Sequence, residues 1–135
     1  MKDLKSTVVR SMPRGALIPT CDNSGAKLVR LISIKGGGGK TVKGRYPAGG
    51  IGDLLTVSVV RGTPEMRKQV VPAILVRQKK EYRRIDGTRI KFEDNAVVVC
   101  KDDKGNPKGT IFKGPIAKEV AERWPGIAKV ASSVV

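Results

Sequence analysis

VVPAILVRQKKEYRRIDGTRIKFEDNAVVVCK, residues 70–101, is the stretch that decides the fold of this chain. It contains two runs of β-branched residues, at 70–78 and 95–101, and each run is short and bounded by charged or turn-forming residues. Such runs predict β-strands. Between them, Asp86-Gly87 is flanked by alternating residues, which predicts a β-hairpin with a two-residue turn.

Further short runs of β-branched residues lie outside this stretch or within its charged part. They occupy residues 16–21, 27–34, 54–61 and 83–92, with turn-forming residues between them. Short strands at regular spacing are typical of all-β domains and favour an antiparallel barrel or sandwich. The chain is therefore predicted to be mainly β.

Only the C-terminal part of the sequence has the spacing of a helix. Pro115 suits a first helical position, where its missing N–H is not needed. Apolar residues then recur three and four positions apart from Ala117 to Trp124, and Pro125-Gly126 should end the segment. We expect a short helix that closes one end of the β-domain. A surface for a protein partner is compatible with this helix, because Trp is enriched at interfaces.

The composition indicates one domain with a polyanionic partner. The chain has 135 residues, of which 27 are Lys or Arg and 12 are Asp or Glu, giving a net charge of +15. A small domain usually carries a charge of about 2–8, so a nucleic acid or an acidic membrane is expected to neutralise the excess. Aromatic residues make up only 4% of the chain. This is too few for an open stacking platform and favours recognition of folded RNA through its phosphates.

The residue inventory argues against several classes of function. Histidine, the side chain best suited to proton transfer near neutral pH, is absent. Cys21 and Cys100 match no metal-binding spacing and are expected to be buried thiols. The sequence also lacks a membrane-spanning run, a basic amphipathic helix and a secretory signal. We therefore expect a cytoplasmic protein that is not an enzyme and has no metal, no cofactor, no small-molecule substrate and no membrane partner.

The glycine run at 36–39, read together with Lys40 and Thr41, resembles a nucleotide-binding loop. The required spacing places the first glycine at position 34, which is Ile34, and residues 42–47 contain a glycine and a proline that prevent the helix such a loop needs. A basic loop that lets the backbone approach RNA phosphates is one remaining interpretation, and a solvated hairpin loop is the other.

The hairpin around Asp86-Gly87 is the strongest local candidate for RNA binding. A two-residue turn would pair Arg84 with Arg89. The side facing RNA would then carry Lys80, Tyr82, Arg84, Arg89 and Lys91. The side facing the core would carry Arg83, Ile85, Thr88 and Ile90. Four cations on one side repel one another unless an anion bridges them, so this side suits an RNA backbone, with Tyr82 free to stack; a solvated charged side is the alternative.

The positive charge is concentrated in the middle of the chain. Residues 35–91 hold 14 of the 27 basic residues and four acidic ones, a balance of +10, whereas the rest of the chain carries +5. This asymmetry is consistent with one side that faces RNA. The candidate RNA-binding residues are Lys35, Lys40, Lys43, Arg45, Arg61, Arg67, Lys68, Arg77, Lys79, Lys80, Tyr82, Arg84, Arg89 and Lys91.

The central stretch also resembles the signature of a known family, that of large-subunit ribosomal protein fourteen. The matching positions, in order, are 73–76, Asp86-Gly87, Phe92, Asn95 and Val98-Val99. Three further segments look like motifs of the same family in the family's order, and they are residues 22–26, 48–53 and 109–115. Together these motifs cover residues 16–124.

The resemblance is closest to the archaeal and eukaryotic branch of that family. Residues 64–68 and 123–125 look like this branch, and residues 1–15 look like an extension that bacterial members lack. The resemblance implies a single domain, 1–135, in which a small five-stranded antiparallel β-barrel with a hairpin extension spans 16–114. A short C-terminal helical region would span 115–135.

The function that the resemblance implies is that of a structural constituent of the large ribosomal subunit. Such a protein binds large-subunit rRNA and contacts small-subunit rRNA at intersubunit bridges. Its implied protein neighbours are the ribosomal protein numbered three, a zinc-ribbon ribosomal protein and, at the C-terminal region, the anti-association initiation factor numbered six. The candidate surface for a protein partner comprises Trp124, Ile127 and Lys129. From composition alone, the alternative is a free RNA-binding translation factor or RNA chaperone with a small β-barrel.

Overall fold

The computed structural model describes residues 8–35 and 43–135, and its regular structure is mainly β. The strands in these ranges are β1 (Met12–Pro13), β2 (Leu17–Pro19), β3 (Ala26–Ile34), β4 (Ala48–Gly49), β5 (Leu54–Gly62), β6 (Val70–Arg77), β7 (Tyr82–Arg83), β8 (Arg89–Ile90) and β9 (Ala96–Val99). Two short helices follow, α1 (Lys118–Arg123) and α2 (Pro125–Val130). The mainly β class predicted from the sequence is confirmed.

Five strands form one antiparallel sheet in the order β2-β3-β5-β6-β9. The two outer strands approach each other where Thr20 forms a parallel bridge with Val97. The backbone N–H of Cys21 also donates to the carbonyl of Val97 at 3.1 Å. The sheet therefore curls until its outer strands meet, as the predicted barrel requires. Five of the six predicted strands correspond to this sheet.

Apolar side chains pack on both faces of the sheet, because successive residues of a strand point to opposite sides. One cluster, the barrel core, includes Val29, Leu31, Leu55, Val57, Leu75, Val97 and Val99. The second cluster, the C-terminal core, packs Ile74, Val76 and Val98 from the opposite face against Val120, Trp124 and Ile127. Each buried side chain of this size contributes about 1.5–3 kcal/mol. The C-terminal core therefore holds both helices against β6 and β9.

The C-terminal region contains two helices where the sequence predicted one. Trp124 lies between them in an extended conformation (φ −122°, ψ 90°), and Pro125 is the first residue of α2. A proline disfavours helical geometry in the residue before it but suits the first position of a helix. The expected role of Pro125 as a stop was therefore only half right, because it ends α1 and begins α2.

The hairpin has a different register from the predicted one. Tyr82 lies opposite Ile90 and Arg83 lies opposite Arg89. The N–H of Arg84 donates to the carbonyl of Thr88 at 2.8 Å, which leaves residues 85–87 as a three-residue loop. The predicted two-residue turn was wrong, and so was the continuous strand at 83–92.

Two features of the loop accommodate this register. Gly87 has a φ of +90°, a conformation that glycine adopts without strain, and it occupies the extra loop position. The carboxylate of Asp86 accepts a hydrogen bond from the N–H of Thr88 at 2.9 Å, which closes the loop from within. An Asp-Gly pair suits both two-residue and three-residue loops, and here the longer one forms.

Candidate nucleic-acid interface

Ten of the fourteen candidate RNA-binding residues are exposed. They are Lys35, Lys43, Arg45, Arg61, Arg67, Lys68, Lys79, Lys80, Arg89 and Lys91. Lys40 lies outside the described residues, as does the glycine run at 36–39. The other three candidates, Arg77, Tyr82 and Arg84, are buried. The sequence pattern could not separate the buried candidates from the exposed ones.

Most of the exposed cations have no acidic partner. Lys35 contacts both carboxylate oxygens of Asp103 at 2.7 Å, and Arg89 lies 3.8 Å from Glu81. Within residues 8–35 and 43–135, the remaining exposed candidates form no ion pair. These eight residues, which we call the free cations, are Lys43, Arg45, Arg61, Arg67, Lys68, Lys79, Lys80 and Lys91. A polyanion is the ligand that such a set can bind.

Three of the free cations lie at the end of β5 and in the turn that follows it. Arg61 lies in β5 opposite Leu28. The N–H of Arg67 donates to the carbonyl of Thr63 at 3.1 Å, and the N–H of Lys68 donates to the carbonyl of Val59 at 3.0 Å. These bonds fix the backbone of the turn while the side chains extend into solvent. The turn can therefore hold several cations in place for RNA phosphates.

Lys79 and Lys80 form a second group immediately after β6. The N–H of Lys79 donates to the side-chain oxygen of Asn95 at 2.8 Å. The buried amide of Gln78 donates to the carbonyl of Lys80 at 3.0 Å. Both lysines thus have anchored backbones and exposed side chains. As in the turn after β5, hydrogen bonds hold the backbone of this segment while its charged side chains are exposed to solvent.

Arg77 cannot serve as the RNA contact that the sequence predicted. Its guanidinium donates to both carboxylate oxygens of Asp94, at 2.9 and 3.1 Å. The same group donates to the carbonyls of Lys113 and Pro115, at 2.8 and 2.9 Å. This residue therefore ties the end of β6 to the segment that leads into the helices.

Tyr82 and Arg84 are also corrected, because the observed register turns both side chains inward. The Nε of Arg84 donates to Glu119 at 2.8 Å, and the hydroxyl of Tyr82 donates to the other carboxylate oxygen at 3.0 Å. Burial, assisted by the charge of Glu119, raises the pKa of Tyr82 to about 12. Ile85, predicted to face the core, is 58% exposed instead. The three polar groups link the hairpin to α1.

The predicted protein-partner surface is contradicted at two of its three positions. Trp124 and Ile127 are buried in the C-terminal core, and the indole N–H of Trp124 donates to the carbonyl of Gly52 at 2.8 Å. Lys129 is exposed. The three- and four-residue spacing of apolar residues in the C-terminal segment therefore reflects packing against the sheet, as expected for a helix that closes one end of the β-domain.

Two cysteines and the acidic residues do not form a metal-binding cluster in the described chain. Cys21 and Cys100 are buried free thiols, as predicted, and desolvation raises the pKa of Cys21 to about 11 and that of Cys100 to about 12. Among the described residues, no group of three or more His, Cys, Asp or Glu could hold a metal ion. In the same residues, no helix has the length and apolar character needed to cross a bilayer.

Sequence reasoning overlooked Tyr46 and Arg14. Tyr46 is 75% exposed, and the guanidinium carbon of Arg14 lies 5.0 Å from the centroid of its ring. The low aromatic content had argued against stacking, but a single ring can still bind a single base. The position of Tyr46 directly after Lys43 and Arg45 is the sequence signal that could have revealed it.

Comparison with known proteins agrees with these features. The profile of the family described as ribosomal protein L14p/L23e matches residues 11–135. Large ribosomal subunit protein uL14 of Methanococcus maripaludis is 57% identical over 134 residues, 99% of each chain. The uL14 proteins of Nanoarchaeum equitans and Halobacterium salinarum are 57% and 50% identical over 135 residues, 100% of each chain. These relatives are archaeal, in agreement with the branch that the motifs indicated. The chain therefore belongs to the ribosomal protein L14p/L23e family, which is a family of large-subunit ribosomal proteins and not of enzymes.

Proposed function

We propose that this protein is a structural constituent of the large ribosomal subunit and binds large-subunit rRNA through the free cations. The observation that carries the proposal is that eight of the ten exposed candidate residues have no acidic partner in the described chain. In a chain with a net charge of +15, such side chains repel one another until phosphates neutralise them. Lys35, Lys40 and Arg89 remain secondary candidates.

Contacts to phosphates explain the type and placement of these residues. Phosphate contacts fix the position of a protein on RNA without reading its sequence, and Lys and Arg are the residues that usually make them. The free cations at the ends of β5 and β6 have backbones held by hydrogen bonds. A protein that positions rRNA segments relative to one another requires such fixed anchor points.

The proposal extends to the partners implied by family membership. We infer that the protein is cytoplasmic, contributes to bridges with small-subunit rRNA, and lies beside the ribosomal protein numbered three and a zinc-ribbon ribosomal protein. The anti-association initiation factor numbered six would dock at the C-terminal region. With Trp124 and Ile127 in the core, the exposed residues there include Glu122, Pro125 and Lys129. Crosslinks from Lys129 in assembled large subunits would reach another molecule if these neighbours are correct.

RNA binding is tested by titrating the protein against overlapping fragments that tile a large-subunit rRNA, at several salt concentrations. We expect a small number of fragments to bind far more tightly than the rest. The double variant Lys79→Gln/Lys80→Gln should bind such a fragment more weakly, and the slope of log affinity against log salt should fall by about 1.4–1.8, since each lost phosphate contact removes about 0.7–0.9.

The matched control is Lys101→Gln/Lys104→Gln, which removes the same charge from two exposed lysines that flank the carboxylates of Asp102 and Asp103. It should change the salt slope much less. Equal losses in the two double variants would mean that net charge alone drives binding, and that the free cations are not the RNA surface. Uniformly weak binding of every fragment by the unmodified protein would refute the RNA-binding function itself.

A further inference from the structure

Tyr46 differs from the other four aromatic residues of the chain, and all five lie in the described ranges. Tyr82, Phe112 and Trp124 are buried, and Phe92 is half-buried against the C-terminal core. Only Tyr46 is exposed. One exposed ring is ordinary on a protein surface, so its surroundings decide whether it has a role.

The surroundings of Tyr46 form a flat site with one open side. The guanidinium carbon of Arg14 lies 5.0 Å from the ring centroid and covers one face of the ring. Pairing of β1 with β4 places Pro13 opposite Ala48, so the backbone segments that carry the two side chains are held together. Because three-quarters of Tyr46 is exposed, the other face of its ring is open to solvent.

The charge along these two segments is entirely positive. Lys43 and Arg45 directly precede the ring and are both exposed. No Asp or Glu occurs in residues 8–21 or 43–52. Asp53, the first acid after residue 52, forms ion pairs with arginine side chains, at 3.3 and 3.9 Å. Within residues 8–35 and 43–135, Lys43 and Arg45 form no ion pair, so the open ring lies beside cations that no described carboxylate neutralises.

We propose that Tyr46 and Arg14 form a stacking site for one unpaired base of the bound RNA. This inference rests on the RNA-binding function proposed above. Every base has a flat π-face that stacks on a Tyr ring, and the guanidinium behind the ring adds a cation–π contribution. Lys43 and Arg45 are placed to contact the phosphates that flank the base. RNA is favoured over a protein partner because a stacked nucleotide brings these phosphates with it, whereas an apolar protein side chain brings no anion.

The inference is tested with the rRNA fragment that binds most tightly in the tiling experiment. Tyr46→Leu keeps an apolar side chain but removes the flat ring, whereas Tyr46→Phe keeps the ring and is the matched control. Tyr46→Leu should lower affinity by about 5- to 150-fold. This range corresponds to a free energy of about 1–3 kcal/mol for stacking one base on an aromatic ring. Its salt slope should stay unchanged, because no phosphate contact is lost. Tyr46→Phe should bind like the unmodified protein.

The second arm uses the same fragment with its unpaired nucleotides converted to base pairs. Against this fragment, Tyr46→Leu and the unmodified protein should have equal affinities. A loss of affinity in Tyr46→Leu that is the same for both fragments would overturn stacking. Full affinity of Tyr46→Leu for the original fragment would also overturn it, and this is the result expected if the ring contacts a protein. If no fragment binds the unmodified protein tightly, the RNA-binding function fails and this site fails with it. Unchanged thermal unfolding of both variants shows that the fold is intact.

Discussion

At the scale of single residues, Arg84 and Glu119 differ from the other ion pairs of the described chain because both side chains are almost fully buried. An exposed pair contributes little, since water and salt screen it. A buried pair is different, because removing one partner leaves the other charge without compensation in the interior. The hydroxyl of Tyr82 also donates to Glu119, so two buried residues, Arg84 and Tyr82, depend on one carboxylate.

We predict that Glu119→Gln will lower the free energy of unfolding by about 3–5 kcal/mol, because it leaves the Arg84 charge uncompensated. Urea-induced unfolding measures the change. Glu81→Gln, which removes the exposed partner of Arg89, is the control and should have little effect. The triple variant Tyr82→Phe/Arg84→Met/Glu119→Leu should recover much of the loss, since it leaves neither a buried charge nor a buried hydroxyl without a partner. A Glu119→Gln variant as stable as the control would show that the pair does not anchor the hairpin.

At the scale of elements, the sequence predicted the five strands of the sheet but not the register of the hairpin. The strands could be predicted because alternating and continuous apolar runs reflect local burial on one or both faces. The register depends on a distant residue, since Glu119 is 35 positions from Arg84 and accepts its hydrogen bond only when Arg84 faces inward. Nothing within residues 80–91 distinguishes the two faces, because both contain cations.

The observed register gives the hairpin a different outer face, formed by Arg83 and Arg89. They lie directly opposite each other on β7 and β8, and both are exposed. We predict that Arg83→Gln/Arg89→Gln will weaken binding to rRNA and reduce the salt slope by about 1.4–1.8. Stability without RNA should stay the same or rise slightly, since two like charges opposite each other are destabilising.

Arg84→Gln is the informative comparison for the hairpin prediction, because it removes a positive charge from the buried side. It should destabilise the free protein, and its effect on RNA binding should follow from loss of folded protein alone. The reverse pattern, with stability lost in the Arg83→Gln/Arg89→Gln variant and RNA binding lost in Arg84→Gln, would mean that the two-residue turn forms in solution.

At the scale of the whole molecule, the family and the RNA-binding class could be inferred from the sequence, whereas the interface could not. Net charge and the spaced motifs can be read from the sequence without knowledge of contacts, so they predicted the partner class and identified the family. The interface depends on which charges are exposed and unpaired. Arg77 was a candidate but is buried, with four hydrogen bonds to Asp94 and two carbonyls, whereas Tyr46 was not a candidate and its ring is exposed.

The net charge of +15 leads to a prediction about stability with and without RNA. Added salt should raise the Tm of the free protein, because it screens repulsion among the free cations. At low salt, a tightly binding rRNA fragment at about 100 times its Kd should stabilise the native state by about 2.7 kcal/mol, a rise of about 10 °C in Tm. High salt should abolish this second effect, since phosphate contacts weaken steeply with salt.

Thermal unfolding with and without the fragment, over a salt series, should therefore give two curves that converge as salt increases. A non-binding fragment from the same rRNA serves as the control and should leave Tm unchanged. Curves that coincide at low salt under saturating RNA would show that the folded protein does not use its positive charge to bind this RNA.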